Sequence, residues 1–135
     1  MEKNIEGDLK SKRVLLLGVS YRSEISDTRY SPVEPFYDYL LSKGAKIFLH
    51  DPFVNFWEEK NIKVSSDLYH LLSINIDIIA ICTNHNYYVN NDKLIKSISK
   101  NKISFVLDTV GVLDQKEINY LKINSVVKVI GRGDV

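Results

Sequence analysis

A short run of branched apolar residues near the start of the chain constrains its fold more than any other feature. No polar residue interrupts residues 14–17, which is typical of a strand buried on both faces of a parallel sheet. Gly18 ends the run, and a polar loop carrying Arg22, Asp27 and Arg29 follows. A strand that leads through a charged loop into a helix is where open α/β sheets bind ligands, so this stretch predicts both a sheet and a site.

A helix is predicted directly after this loop. Ser31 is expected as its N-cap, with Pro32 at the first helical position and Glu34 three residues after the cap, the pattern of a capping box. The helix should cover about residues 32–43 and end at Gly44. Apolar residues recur on one face of it, namely Val33, Phe36, Tyr37, Leu40 and Leu41.

The charged loop allows two interpretations that spacing alone does not separate. In the first, the guanidinium groups of Arg22 and Arg29 lie near a helix N-terminus and bind an anion, most simply a phosphate. In the second, Asp27 and Arg29 only pair with each other to hold a long loop in place.

Strand and helix patterns then alternate to the end of the chain. The further strands are predicted at residues 46–49, 62–64, 77–82, 104–107 and 126–130. Between them we expect a short helix or turn within 53–60, a short helix capped by Ser66, a helix over 92–100, and a helix from Asp114 to Leu121.

This alternation predicts an α/β fold: a Rossmann-like, doubly wound parallel sheet of about six strands with helices on both faces. Right-handed crossovers favour the strand order 3-2-1-4-5-6. Residues 1–11 are polar and weakly patterned and are expected to form a linker or tail, which leaves residues 12–135 as one domain.

Composition excludes several classes of function. A net charge of +1 over 135 residues gives no electrostatic case for a nucleic-acid partner or a membrane surface. The apolar runs have the length of strands, too short to span a bilayer. The first ten residues lack the apolar segment of a signal peptide, and a single cysteine, Cys82, excludes an internal disulfide. We therefore expect a cytoplasmic protein.

Polar and aromatic side chains follow the predicted strands, where the carboxyl ends of parallel strands share one edge. They are Tyr21, Arg22, His50, Asp51, Thr83, His85, Asp108 and Thr109. Asp51 ends the second strand, where an acidic residue can bind the ribose of a dinucleotide. No G-x-G-x-x-G pattern begins at Gly18, so no loop is predicted to bind the pyrophosphate beside it, and the chain is not expected to bind NAD by itself.

Two further kinds of chemistry are disfavoured by the residues. Cys82 ends a buried strand and is interpreted as a small core residue rather than a nucleophile paired with His85. The spacing of His50, His70 and His85 does not match a metal-ligand pattern, and no metal is predicted.

Several motifs, in order, resemble one known domain. Residues 15–32 carry a glycine-ended strand, Tyr21-Arg22 and then Asp-Thr-Arg-Tyr-Ser-Pro. The other matching segments are residues 49–54, 81–85, 106–113 and 130–133. Over residues 12–133 the chain resembles the C-terminal, UDP-binding domain of the UDP-glucose/GDP-mannose dehydrogenase family.

The resemblance implies roles for individual residues. Tyr21 and Arg22 stand where the family contacts the nucleotide sugar through an aromatic residue and a lysine. Arg29 stands where the family's arginine reaches NAD, which is bound mainly by a separate N-terminal domain. Two positions depart from the family: Arg22 replaces the lysine, and Val110 occupies the place of a substrate-binding arginine.

The resemblance also implies an activity and partners. The family oxidises the C6 alcohol of a UDP-sugar to a carboxylate in two NAD-dependent steps through a cysteine thiohemiacetal. That cysteine lies in a glycine-rich motif ahead of this domain, and Cys82 is not its counterpart. The expected partners are a UDP-sugar, the NAD-binding and central domains, and further copies in a homo-oligomer.

Two alternatives to a dehydrogenase domain remain open from the sequence. The first is a free-standing Rossmann-like binding or assembly module without catalysis, which Val110 favours. The second is a small independent Rossmann-like enzyme, which the missing glycine fingerprint disfavours.

Overall fold

The apolar runs of the sequence pair side by side as parallel strands in a computed structural model, which describes residues 9–130. In chain order the helices and strands are β1 (Arg13–Leu17), α1 (Val33–Ser42), β2 (Lys46–His50), β3 (Phe56–Trp57), β4 (Ile62–Lys63), α2 (Leu68–Leu72), β5 (Ile78–Ile81), α3 (Asp92–Lys100), β6 (Phe105–Asp108), α4 (Gln115–Leu121) and β7 (Val126–Val129). Short 3₁₀ helices occupy Glu58–Lys60 and Asn86–Tyr88.

The main sheet has five strands in the order β2-β1-β5-β6-β7, and all of its pairings are parallel. β1 is central, and residues 14–17 are completely buried because both faces of the strand are covered. The helices α2, α3 and α4 pack on one face, while α1 and the β3–β4 hairpin cover the other. The predicted fold class, a doubly wound α/β sheet with helices on both faces, is confirmed.

The sheet has five strands rather than about six. Residues 62–64 were expected as a further strand at the edge beyond β2, but Ile62 pairs antiparallel with Trp57 in a two-stranded hairpin. Only one parallel bridge, between His50 and Ser65, continues the main sheet in that direction. The same hairpin replaces the helix or turn expected within residues 53–60, since Trp57 buries its ring completely against that face of the sheet.

Helix starts depart from the predicted caps. The capping box expected at Ser31 and Glu34 is absent because the Ser31 N–H donates to the Thr28 carbonyl, while Ser31 Oγ accepts from the Val33 N–H at 3.2 Å. A complete capping box instead begins α4 at Asp114 and Glu117.

Two other details of the helices differ from expectation. Asp67, not Ser66, caps α2 by accepting from the His70 N–H. Leu41, expected on the apolar face of α1, is 55% exposed.

The two ends of the chain are described only in part. Leu9, within the expected linker, is completely buried, and the Ser11 N–H donates to the Gly44 carbonyl. Residues 1–8 of that linker and residues 131–133 of the last matching motif lie outside the described residues. No helix within residues 9–130 is long and apolar enough to cross a bilayer.

Candidate functional site

The carboxyl ends of the parallel strands bring the predicted site residues to one edge of the sheet. Leu17 is in register with His50 on one side and Ile81 on the other, and Ile81 is in register with Asp108. All eight edge residues that the sequence indicated therefore lie in or next to the loops at this edge.

The strand order reverses between β1 and β5, and their ends approach each other closely. Gly18 has a φ of +99°, and a Cβ on it would lie 2.5 Å from the Thr83 side chain, so only glycine fits. Thr83 is buried, and its hydroxyl has no hydrogen-bond partner among the described residues. A switch of strand order is where sheets of this kind form a ligand crevice.

Asp51, at the end of β2, is committed to holding loops together. Its Oδ1 accepts from the N–H groups of Phe53 and Val54, and its Oδ2 accepts from the Val19 N–H at 2.9 Å. Burial raises the pKa of Asp51, but hydrogen bonds from His85, Val19 and Phe53 outweigh that effect and hold it below its usual value. A carboxylate with all these donors is not available to hold a ribose.

Ser20, His85 and Asp51 are the residue types of a hydrolase triad, but their geometry is different. In a triad the serine and the aspartate lie at opposite nitrogens of the imidazole ring. Here Ser20 Oγ and Asp51 Oδ2 both lie 3.0 Å from His85 Nε2, while Nδ1 accepts from the Glu24 N–H at 2.9 Å. The cluster fastens the loop after β1 instead of activating a nucleophile.

Tyr21 and Arg22 lie on top of this fastened loop. The Tyr21 side chain is about half exposed, at 49%, and Arg22 is exposed. Within residues 9–130 the Arg22 guanidinium makes no hydrogen bond or ion pair, whereas Arg13 donates to the Ile74 carbonyl and Arg29 binds Asp27. Arg22 is therefore the uncommitted guanidinium of the described chain.

The pairing of Asp27 with Arg29, one of the two sequence interpretations, is present in the structure. Arg29 Nε and Nη2 donate to the two carboxylate oxygens of Asp27 at 3.1 and 2.9 Å. The hydrogen bonds from Arg29 lower the pKa of Asp27 to about 2. This grip uses the Nε side of the guanidinium and leaves the Nη1 side without a hydrogen bond to any described residue.

The N-terminus of α1 offers few free backbone donors to an anion. Pro32 and Pro35 have no N–H group, and the N–H groups of Val33 and Glu34 donate to Ser31. A phosphate near this loop would depend on side chains rather than on the helix backbone.

A small crevice separates the first turn of α1 from the ends of β5 and β6. Its cavity volume is about 310 Å³, and it is lined by Pro32, Val33, Phe36, Cys82, Thr109 and Val110. Tyr21 and Arg22 are not part of this lining. Val110, which stands in place of the family's arginine, is 38% exposed and leaves this side of the crevice apolar.

The loop behind Val110 is held by the aspartate that ends β6. Asp108 is completely buried, and its carboxylate accepts from the N–H groups of Val110, Gly111 and Leu113 at 3.1, 2.8 and 2.9 Å. Like Asp51, it binds backbone and is not available for acid–base chemistry.

Neither Cys82 nor His50 is placed for chemistry. Burial raises the pKa of the Cys82 thiol to about 12, with a smaller effect from Asp108, so the reactive thiolate is scarce at neutral pH. Burial lowers the pKa of His50 to about 4, and its Nδ1 lies 2.7 Å from the hydroxyl of Tyr88. Among residues 9–130 no group of three or more candidate ligands is arranged to hold a metal ion.

Sequence reasoning missed three residues of the site. Ser20, Glu24 and Tyr88 hold the loops in place through distant partners. Ser20 and Glu24 contact His85, which lies 65 and 61 residues further along the chain, and Tyr88 contacts His50, 38 residues away. Their types and local spacing carry no signal for such contacts. An aligned set of relatives would be the means to find them.

Comparisons with known proteins agree with this geometry. The model of the UDP-glucose/GDP-mannose dehydrogenase family, UDP binding domain, matches residues 15–115. A UDP-N-acetyl-D-mannosamine dehydrogenase of Methanococcus vannielii is 27% identical over 93% of this chain and 28% of its own length. Another from Methanocaldococcus jannaschii is 32% identical over 77% of this chain and 24% of its own length.

A solved structure shows the same fold. The NDP-N-acetyl-D-galactosaminuronic acid dehydrogenase of Methanosarcina mazei superimposes with a TM-score of 0.78 at 27% identity, over 93% of this chain and 26% of that one. The chain thus spans about a quarter of the length of the relatives it matches.

Proposed function

The chain belongs to the UDP-glucose/GDP-mannose dehydrogenase family as its UDP-binding domain, and on that basis we propose that it forms one wall of the active site of an NAD-dependent UDP-sugar 6-dehydrogenase. The family match carries this proposal, because residues 15–115 include the loops after β1, β5 and β6. The nucleotide of the UDP-sugar binds at the sheet edge where those loops meet.

Tyr21 and Arg22 are the proposed substrate contacts. A diphosphate needs a cation that is not already neutralised, and Arg22 is exposed with no ion pair among the described residues. Tyr21, half exposed beside it, offers a ring on which uracil can stack and a hydroxyl that can hydrogen-bond to it.

Arg29 is the proposed contact to NAD. Asp27 holds its guanidinium from the Nε side, so the remaining N–H groups are free to donate to an anionic group of the cofactor. The rest of the NAD site is assigned to a separate N-terminal domain, which this chain does not span.

The proposed partners of this domain are the NAD-binding and central domains of the enzyme and further copies in a homo-oligomer. The proposed compartment is the cytoplasm.

The proposed reaction converts the C6 alcohol of the sugar to a carboxylate: two hydrides pass to two NAD molecules, water supplies the second carboxylate oxygen, and the protons are released to solvent. Its nucleophilic cysteine is assigned outside these residues, since Cys82 is buried and its thiol pKa is about 12. We expect the isolated chain to produce no NADH from a UDP-sugar and NAD, because no nucleophile is positioned for this reaction within residues 9–130. Sustained NADH formation by the pure chain, followed by the absorbance of NADH, would contradict the assignment of the catalytic cysteine and the main NAD site to other domains.

The second candidate is a binding or assembly module without catalysis. Val110 is the observation that favours it, because an apolar side chain in the crevice cannot pair with a phosphate or a sugar hydroxyl. In that case the fold is kept while nucleotide affinity is reduced or lost.

A titration with UDP distinguishes the two candidates. Arg22→Ala should weaken binding by about tenfold or more, because one charge-assisted contact contributes roughly 1.5–3 kcal/mol. Val110→Arg should strengthen binding by a comparable factor. Chemical-shift changes followed by NMR should fall on residues 20–32 and 108–112.

Lys122→Ala is the matched control, since it also removes one positive charge but lies after α4 at the opposite edge of the sheet. It should leave UDP affinity unchanged. Equal binding by wild type and Arg22→Ala, or shifts confined to other residues, would reject the proposed site and favour the module.

A further inference from the structure

The loop after β1 is held in a backbone conformation that it would not adopt alone. Glu24 has a φ of +64°, in the left-handed region that residues with a side chain rarely occupy. Its N–H group donates to His85 Nδ1 at 2.9 Å, and its carboxylate accepts from the main-chain N–H and side-chain amide of Asn86. These three hydrogen bonds offset the cost of the strained conformation.

The hydrogen bond from Glu24 fixes the protonation of the imidazole ring of His85. Because Nδ1 accepts from a backbone N–H, the ring proton is on Nε2, where it is shared between Asp51 Oδ2 and Ser20 Oγ, each at 3.0 Å. Ser20 Oγ in turn donates to the Arg22 carbonyl at 2.9 Å. One continuous chain of hydrogen bonds therefore connects Asp51 to the backbone of Arg22.

The side chains that form this series of hydrogen bonds are buried away from solvent. Ser20, Asp51 and His85 are exposed by no more than 1%. The rings of Phe53 and Tyr88 lie with their centroids 5.1 and 6.0 Å from that of His85. A hydrogen-bonded cluster in such surroundings sets one geometry for the groups attached to it.

We propose that His85 is the positioning residue of the nucleotide site: its Nδ1, by accepting from the Glu24 N–H, holds residues 20–24 so that Tyr21 and Arg22 face the ligand, while its Nε2–H stabilises the buried cluster with Asp51 and Ser20. The inference rests on the proposed function only in taking Tyr21 and Arg22 as the nucleotide contacts. His85 itself lies beneath the loop and does not touch the ligand.

Two substitutions separate positioning from stability. The Oδ1 of asparagine can take the place of Nδ1, so His85→Asn keeps an acceptor for the Glu24 N–H but loses the donor to Asp51 and Ser20. The amide of glutamine reaches the place of Nε2, so His85→Gln keeps the donor and loses the acceptor. His70→Gln, an exposed histidine on α2, is the control.

Binding of UDP-glucose is measured for wild type and the three variants under one set of conditions. We expect His85→Gln to bind about fivefold more weakly than wild type and His85→Asn to bind within about twofold of it, the effect of one hydrogen bond. His70→Gln should bind as wild type does.

Denaturant melts of the same variants provide the decisive contrast. His85→Asn should be the less stable of the two because it leaves Asp51 without its side-chain donor, and yet the tighter binder. Affinities that follow stability would overturn the inference. If wild type itself binds no UDP-glucose, the proposed function fails, and the amide shifts of Tyr21 and Glu24 decide the positioning role by the same ordering of variants.

Discussion

The loop of residues 18–32 after β1 and the loop of residues 109–114 after β6 leave the same edge of the sheet, and each depends on a buried aspartate. Asp108 binds three N–H groups of the loop that directly follows it. The first loop is instead held from other parts of the chain, by Asp51 at the Val19 N–H and by His85 at the Glu24 N–H. The buried carboxylate of Asp108 is thus a local tie, whereas Asp51 and His85 are remote ties that act beside contacts within the first loop, such as that from the Tyr21 N–H to the Asp27 carbonyl.

The difference determines what each loop depends on. The hydrogen bonds of Asp108 join residues of one short segment, so their formation does not require the other loops at this edge of the sheet. A remote tie exists only when β1, β2 and β5 are assembled, because Asp51 and His85 follow the neighbouring strands. The conformation of Tyr21 and Arg22 is therefore a property of the assembled sheet edge.

The largest contrast is expected from replacing the two aspartates by asparagine. Asp51→Asn turns an oxygen that accepts from Val19 and His85 into a donor, so we expect a loss of about 3–5 kcal/mol in the free energy of unfolding. Asp108→Asn can keep two of three backbone bonds and should lose about 1–3 kcal/mol. Urea melts measure both, and equal losses would mean that the two ties do not differ.

The next contrast uses a glycine from each loop. Gly18→Ala combines a positive φ with a contact of 2.5 Å to Thr83 and should cost about 2–4 kcal/mol. Gly111→Ala has a positive φ of +77° but nothing within 4 Å of the new Cβ, so about 1–2 kcal/mol is expected. A Gly111→Ala variant that is as unstable as Gly18→Ala would show that close approach is not what distinguishes them.

Lowering the pH should decrease the free energy of unfolding through His50, which ends β2 beside Asp51. Burial lowers the pKa of His50 to about 4, below its value in the unfolded chain, so the unfolded state binds the proton first and stability falls as the pH drops below about 6.5. The expected loss between pH 6.5 and pH 5 is about 2 kcal/mol. Urea midpoints across this range should have a smaller slope in His50→Gln, and an unchanged slope would contradict the assignment.

The smallest effect is expected for the exposed pair in the first loop. Asp27→Ala should change the free energy of unfolding by less than about 1 kcal/mol, because exposed ion pairs contribute little. If Asp27 only orients Arg29, a complete enzyme that carries this substitution should bind NAD more weakly, while its free energy of unfolding in a denaturant melt stays the same. A large loss of stability would mean that the pair also holds the loop.

Features that depend on local sequence could be predicted, whereas contacts between distant segments could not. The buried strand at residues 14–17, the helix over 92–100 and the edge position of Asp108 depend on local patterns, and the structure has them. The hairpin that includes Trp57 was not predicted, because it forms only where the ring meets the face of the sheet. The roles of Ser20 and His85 were missed for the same reason, since their contacts join distant segments.

The uncommitted guanidinium of Arg22 has a consequence for the strength of binding. A side chain with no partner within residues 9–130 samples many rotamers, and ordering it on a ligand costs roughly 0.5–1.5 kcal/mol of conformational entropy. Arg29, already immobilised by Asp27, avoids most of that cost. We therefore expect this ordering cost to offset part of the free energy that Arg22 gains from a diphosphate, a cost that Arg29 largely avoids.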